Sequence, residues 1–190
     1  VNIMMVLAAF SMTYGNLVGL VQKDIKRLLA YSGIAHAGYL MLGILAMSKE
    51  GSASAMFYIM VYVFMNLAGF YVVILLSNRG ENVKVSDLAG LSKRSPLLAM
   101  LLAVAAFSLA GIPPTGGFTG KLFLLTSAFR AGHLAIVIIG AVNTVISVFY
   151  YLNLVRMSYS KEAESNVRHI KLSLTEKFLC YLFIFLILYI

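Results

Sequence analysis

Charged residues are scarce in this sequence, at 12% of 190 positions, about half the share of an ordinary soluble domain. A water-soluble fold is therefore excluded. Cysteine occurs once, as Cys180, which rules out an internal disulfide and a thiolate-ligated iron–sulfur cluster, since either needs more than one protein thiol. No redox centre is expected in this chain. No metal site is expected either, because His133 and His169 fall in loops on opposite sides of the apolar segments and leave no ligand cluster. The first residue is Val1 rather than Met, no cleavable signal sequence is visible, and the last apolar run is still open at Ile190. The chain is expected to be a fragment. A net charge of +8 is no nucleic-acid footprint here, because the basic residues lie in short loops between apolar runs, with no soluble domain to carry a binding face.

What remains is overwhelmingly apolar: 61% hydrophobic residues, with a mean hydropathy of +0.92. An all-α integral membrane protein follows. With about 20 residues needed per crossing, six spans are predicted, near Asn2–Leu20, Leu28–Met47, Ala53–Ser77, Pro96–Phe129, Leu134–Met157 and Leu174 to the end. One set of alternate loops holds Lys23, Lys26, Arg27, Arg79, Lys84, Lys93, Arg94, Arg156, Lys161, Arg168, Lys171 and Lys177, whereas the other holds only Lys49 and Arg130. That asymmetry assigns the first set to the cytoplasmic or equivalent side. The fourth segment must then cross once, because two full crossings would reverse the side of Arg156. Its middle cannot be continuous helix: Pro113 and Pro114 lack amide hydrogens, which frees the carbonyls of Leu109 and Ala110, and Gly111, Gly116, Gly117 and Gly120 permit an unwound path. Irregular backbone survives at membrane depth only when buried in protein or lining a wet cavity.

Lys121 is the one charge in that segment. It lies nine residues before Arg130, about 13 Å along a helix, and an ammonium near the bilayer centre costs at least about 2.5 to 3.5 kcal/mol. Two readings stand: a proton relay, or a structural lysine that caps the freed carbonyls or snorkels. His36, nine residues after Arg27, approaches a similar depth from the other side and shares a helix face with Ser32, Tyr39 and Gly43. It is either part of a hydrogen-bonded proton path or a packing residue bonded to a neighbour. In the fifth span Asn143, Ser147 and Tyr151 recur every fourth residue as one polar stripe, read either as a wet path or as ordinary bonding between helices. Asn16 and Asn66 carry the same pair of readings. Gly15 and Gly19 have the spacing of a close helix contact.

Two ordered stretches, Gln22 to Tyr39 (QKDIKRLLAYSGIAHAGY) and Leu109 to Lys121 (LAGIPPTGGFTGK), resemble the signatures of the antiporter-like membrane subunits of respiratory complex I. The resemblance covers essentially the whole chain. Within that family the sequence is similar to the N-type subunits: the helix of Asn66 lacks the histidine of the sister L and M subunits, and Lys121 stands where M has glutamate. The resemblance implies the second of two inverted five-helix repeats over residues 1–157, a cytoplasmic or matrix-side loop over 158–173, and a closing helix over 174–190. It also implies that Lys121 is the protonatable residue of a half-channel and His36 part of a central hydrated axis. Thr115 and Thr119 then join Ser32, Tyr39, Asn143, Ser147 and Tyr151 on the supporting polar path.

The function so implied is proton translocation driven by redox chemistry elsewhere in an NADH:quinone oxidoreductase. NADH, FMN, iron–sulfur clusters and quinone are expected on other subunits, none on this chain. The expected partners are other membrane-arm subunits, the lipid bilayer, protons and water, and the expected location is a bacterial plasma membrane, with an organellar inner or thylakoid membrane as the variant. The competing functions are a subunit of a related cation/proton antiporter or membrane-bound hydrogenase, a purely structural subunit, and a transporter with a ligand at the unwound segment.

Overall fold

The computed structural model describes residues 2–77, 81–160 and 170–190; Arg79, Lys161, Arg168 and His169, with most of the 158–173 loop, lie outside them. The elements are α1 (Asn2–Val21), α2 (Ile25–Leu45), α3 (Lys49–Leu76), a 3-10 turn (Val85–Leu88), α4 (Leu91–Arg94), α5 (Pro96–Ala110), α6 (Gly116–Arg130), α7 (Leu134–Ser158) and α8 (Leu174–Tyr189). No strand occurs among the described residues. Four helices, α1, α2, α3 and α7, are long and apolar enough to cross a membrane. At 15 residues each, α5 and α6 are short for that task, as is α8 at 16.

Two helix starts lie further out than hydropathy places them, because polar caps extend the apolar runs. Asp24 accepts from Arg27 N at 3.0 Å and starts α2 at Ile25, ahead of the expected Leu28. Ser48 accepts from Gly51 N at 3.0 Å and starts α3 at Lys49, ahead of Ala53. Removing the first cap, in Asp24→Ala, is expected to cost about 1 kcal/mol, read as a lowered midpoint of thermal unfolding.

Polar contacts define the two ends of the bundle. At one end Ile25 N donates to Val83 O, Val85 N to Lys23 O and Ile170 N to Arg94 O, so the loops bearing Lys23, Lys84, Arg94 and Lys171 meet there. Gln22 and Arg156 line one surface hollow at the same end. At the opposite end the guanidinium of Arg130, closing α6, bonds Glu50 in the first turn of α3 at 2.9 Å. α5 therefore starts beside the end of α3 and α6 ends beside its start. The pair runs once along the 28 residues of α3, antiparallel to it and interrupted at 111–115. Both members of the Glu50–Arg130 pair are about two-thirds exposed, so Glu50→Gln is expected to shift stability by less than about 1 kcal/mol.

The helices close on one another through small residues. A Cβ added at Gly15 would lie 2.6 Å from Ala35 N, and one at Gly38 2.8 Å from Ala8 O, so α1 and α2 touch backbone to backbone. Gly19 meets the Tyr150 ring of α7 at ordinary contact distance instead. Only the first half of the small-residue pair makes a close helix contact. α2 lies among α1, α3, α6 and α7, which is why its polar face, carrying Ser32, His36 and Tyr39, is buried.

Candidate functional site

The break at 111–115 starts where the sequence requires it. Gly111 takes a left-handed conformation, φ 82°, closing α5, and its missing Cβ leaves room for the Lys121 stem, whose Cδ would lie 2.9 Å from one. Gly117 N then donates to Ser108 Oγ at 3.2 Å, fastening the start of α6 to the end of α5. Thr115 Oγ1 donates to Ile112 O at 2.8 Å within the turn, while Thr119 stays half-buried. Pro113 and Pro114 are exposed on the surface of this chain.

Lys121 points back along its own helix into the break. Its Nζ donates to Leu109 O at 2.8 Å and to Ala110 O at 3.0 Å, the two carbonyls that the prolines leave without helical partners. The side chain is 3% exposed, and the nitrogen sits 5.0 Å from the centre of the Tyr39 ring, a cation–π distance. Among the described residues no carboxylate pairs with it. An ammonium has three N–H groups and an amine two, so both carbonyl bonds can persist in either form. The third position of the nitrogen is the one that changes from N–H to lone pair.

His36 is the centre of a second cluster, 2% exposed. Its Nδ1 is hydrogen-bonded to the Tyr58 hydroxyl, and its Nε2 lies 3.3 Å from the Tyr151 hydroxyl, which in turn bonds Ser32 Oγ. The result is a continuous chain, Ser32, Tyr151, His36, Tyr58, drawn from α2, α7 and α3. Each hydroxyl can donate and accept, and a neutral imidazole does one at each nitrogen, so the direction of the chain can reverse without any side chain moving. The Tyr39 ring is 6.3 Å from the His36 ring, which leaves His36 and Lys121 Nζ near one aromatic side chain.

Several predicted site residues sit elsewhere than that chain. Tyr39 does not bond His36: its hydroxyl donates to Gly140 O at 2.8 Å and meets Thr144 Oγ1 at 2.9 Å, on α7. Asn143 joins Asn16, whose Nδ2 lies 3.1 Å from both the Asn143 backbone oxygen and its side-chain oxygen, and Tyr150 donates to Asn16 Oδ1 at 2.9 Å. Ser147 bonds Thr144 O in its own helix. The stripe on α7 is thus divided, Asn143 serving contact with α1 and Tyr151 the histidine chain. Gly43 packs on the Gly51 backbone.

Tyr58, Tyr62, Tyr150 and Thr144 were not among the predicted site residues. A usable signal existed for two of them: Tyr58 and Tyr62 precede Asn66 at four-residue spacing on α3, and Asn66 Nδ2 bonds the Tyr62 hydroxyl at 2.9 Å. Among the described residues no three His, Cys, Asp or Glu side chains converge. The site as built offers hydroxyls, amides, one imidazole and one amine.

Comparison with known proteins places these residues in a wider group. The transmembrane family described as NADH:quinone oxidoreductase/Mrp antiporter matches residues 1–147. The chain is similar to NADH-quinone oxidoreductase subunit N 2 of Solidesulfovibrio magneticus, 54% identical over 86% of this chain and 35% of that protein. It is 52% identical to NADH-quinone oxidoreductase subunit N 2 of Opitutus terrae, over 94% of this chain and 37% of that one. Among solved structures, a chain of respiratory complex I from Thermus thermophilus with bound aureothin superposes with a TM-score of 0.88 at 32% identity, covering 99% of this chain and 42% of that chain. A chain of the Mrp complex from Dietzia sp. superposes with a TM-score of 0.78 at 26% identity, over 88% and 32%. The chain spans little more than a third of the length of the curated relatives it matches.

Proposed function

The chain belongs to the NADH:quinone oxidoreductase/Mrp antiporter transmembrane family, and from that premise we propose that it is a proton-translocating portion of a membrane-arm subunit of NADH:quinone oxidoreductase. It is an integral membrane protein of the bacterial plasma membrane. In this reading it crosses six times, α5 and α6 together making the fourth crossing and α8 the last. Residues 1–157 form one five-helix repeat, the 158–173 loop faces the cytoplasm, and residues 174–190 form the closing helix. The relatives named as subunit N and the likeness to chains of complex I support the assignment. The redox groups and quinone belong to other subunits, and this chain handles protons alone.

The observation that carries the proposal is the setting of Lys121 Nζ: buried and, among the described residues, without a carboxylate partner and bonded only to carbonyls that it can hold with or without its extra proton. A proton can then leave or arrive at the third position of the nitrogen without rebuilding the break. The chain from Ser32 through Tyr151 and His36 to Tyr58 supplies the neighbouring relay. Moving one charge across 100 mV costs about 2.3 kcal/mol, against about 1.4 for each tenfold change in proton affinity. Redox events elsewhere must therefore alter the proton affinity of Lys121 by more than tenfold per proton moved.

The same two carbonyl bonds favour a second reading, in which Lys121 only holds the break together. A test in the intact assembly is Lys121→Ala, with NADH oxidation and proton uptake measured separately in sealed vesicles. Translocation requires uptake per NADH to fall. Normal oxidation with undiminished uptake in a fully assembled variant would leave only the scaffold.

A further inference from the structure

At the basic end of the bundle, a cavity of about 780 Å³ opens between the starts of α5 and α8. Its charged wall is Arg94, Lys171 and Lys177, and its apolar wall includes Leu97, Met100 and Tyr181. A second hollow shares Lys177 and Tyr181 and continues along α8 past Leu174 and Phe178. These apolar side chains are open: Met100 is 40% exposed, Tyr181 59% and Phe178 65%.

One of these charges is placed against ordinary helix electrostatics. Lys177 lies in the first turn of α8, a positive helix end where a cation is unfavourable, and Arg94 lies between the end of α4 and the cap of α5. Among the described residues neither makes an ion pair: Asp87 accepts from Lys84 N at 2.8 Å, Glu176 from Ser173 N at 2.6 Å, and Arg94 donates to the backbone oxygen of Asp87. Ser95 lines the same cavity, is 4% exposed, and does not cap the helix it precedes. A serine lining a cavity beside three cations and two helix starts is a setting for an anion.

We infer that this cavity binds an anionic phospholipid, its phosphate lying among Ser95, Arg94, Lys171 and Lys177 and its acyl chains along Leu97, Met100, Tyr181 and Phe178. Free phosphate would leave the open apolar wall unused, whereas a lipid matches both walls, and basic pockets between membrane helices on the cytoplasmic side bind such headgroups. The inference requires only that the chain spans a membrane with this end inside; it is independent of any role for Lys121.

The test places a photocrosslinking residue at Met100 of the intact assembly, reconstituted in nanodiscs holding equal amounts of phosphatidylglycerol and phosphatidylcholine. Phosphatidylglycerol should be labelled at least about tenfold more than phosphatidylcholine. The triple variant Arg94→Gln, Lys171→Gln, Lys177→Gln should abolish that preference, while Arg94→Lys, Lys171→Arg, Lys177→Arg should keep it. Equal labelling of the two lipids in the unmodified assembly overturns the inference, whether or not the variants assemble. So does a preference that survives neutralisation, or one erased by inorganic phosphate, which would mark a phosphate site.

Discussion

Gly117→Ala should remove this chain from its assembly. A Cβ there would lie 1.9 Å from Ser108 O and 2.8 Å from Ser108 Oγ, so the added methyl overlaps backbone that no rotamer change can move. Separating α5 from α6 would also break the Gly117 N to Ser108 Oγ bond and draw Leu109 and Ala110 away from Lys121. The cost should exceed the roughly 1 to 3 kcal/mol of ordinary overpacking, despite alanine's better helix propensity. Gly132→Ala is the control, since Gly132 has φ 84° but nothing within 4 Å of an added Cβ, and should lose only about 1 to 2 kcal/mol of backbone strain. Chain abundance in membranes and on native gels reads both. Gly117→Ala present at the unmodified level would contradict the close fastening of the break.

Tyr58 should be the next most sensitive position. Tyr58→Phe keeps the ring but leaves His36 Nδ1 buried without its partner, an expected loss of about 1 to 3 kcal/mol. Tyr58→Ala also empties a fully buried aromatic site against Gly120, raising the loss to about 3 to 5 kcal/mol. The comparison to make is Tyr62→Phe, whose hydroxyl is bonded to Asn66 and not to His36. Thermal dissociation of the assembled complex should rank the three as Ala, then Phe at 58, then Phe at 62. Equal midpoints for the two phenylalanine variants would show that the His36 contact contributes nothing.

Broad organisation was legible in the sequence because the membrane imposes it locally. The interrupted helix at 111–115 follows from two prolines and neighbouring glycines, and the meeting of Arg130 with Glu50 away from Lys23 and Arg94 agrees with the loop charges. The freed carbonyls of Leu109 and Ala110 were identifiable from proline chemistry alone. That Lys121 would serve both of them was one of two open readings, because a lysine stem can turn either way along a helix. Partner choice was not legible. Ser32 and His36 share a face of α2, yet they connect through Tyr151 of α7, and Tyr39 turns to Gly140 and Thr144. Such choices depend on helix rotation and crossing, which close backbone contacts at Gly15, Gly38 and Gly117 constrain, and no periodicity in one strand of sequence encodes them.

The most direct measurement concerns a substitution that keeps hydrogen-bond donors at this position and removes the proton carrier. The amide of Lys121→Gln retains N–H donors for the break but cannot exchange a proton near neutral pH. In sealed vesicles of the intact assembly, protons taken up per NADH oxidised should fall, while assembly and oxidation persist. A Lys121→Gln assembly that oxidises NADH and takes up protons in the unmodified ratio would falsify the relay and reduce Lys121 to a brace for two carbonyls.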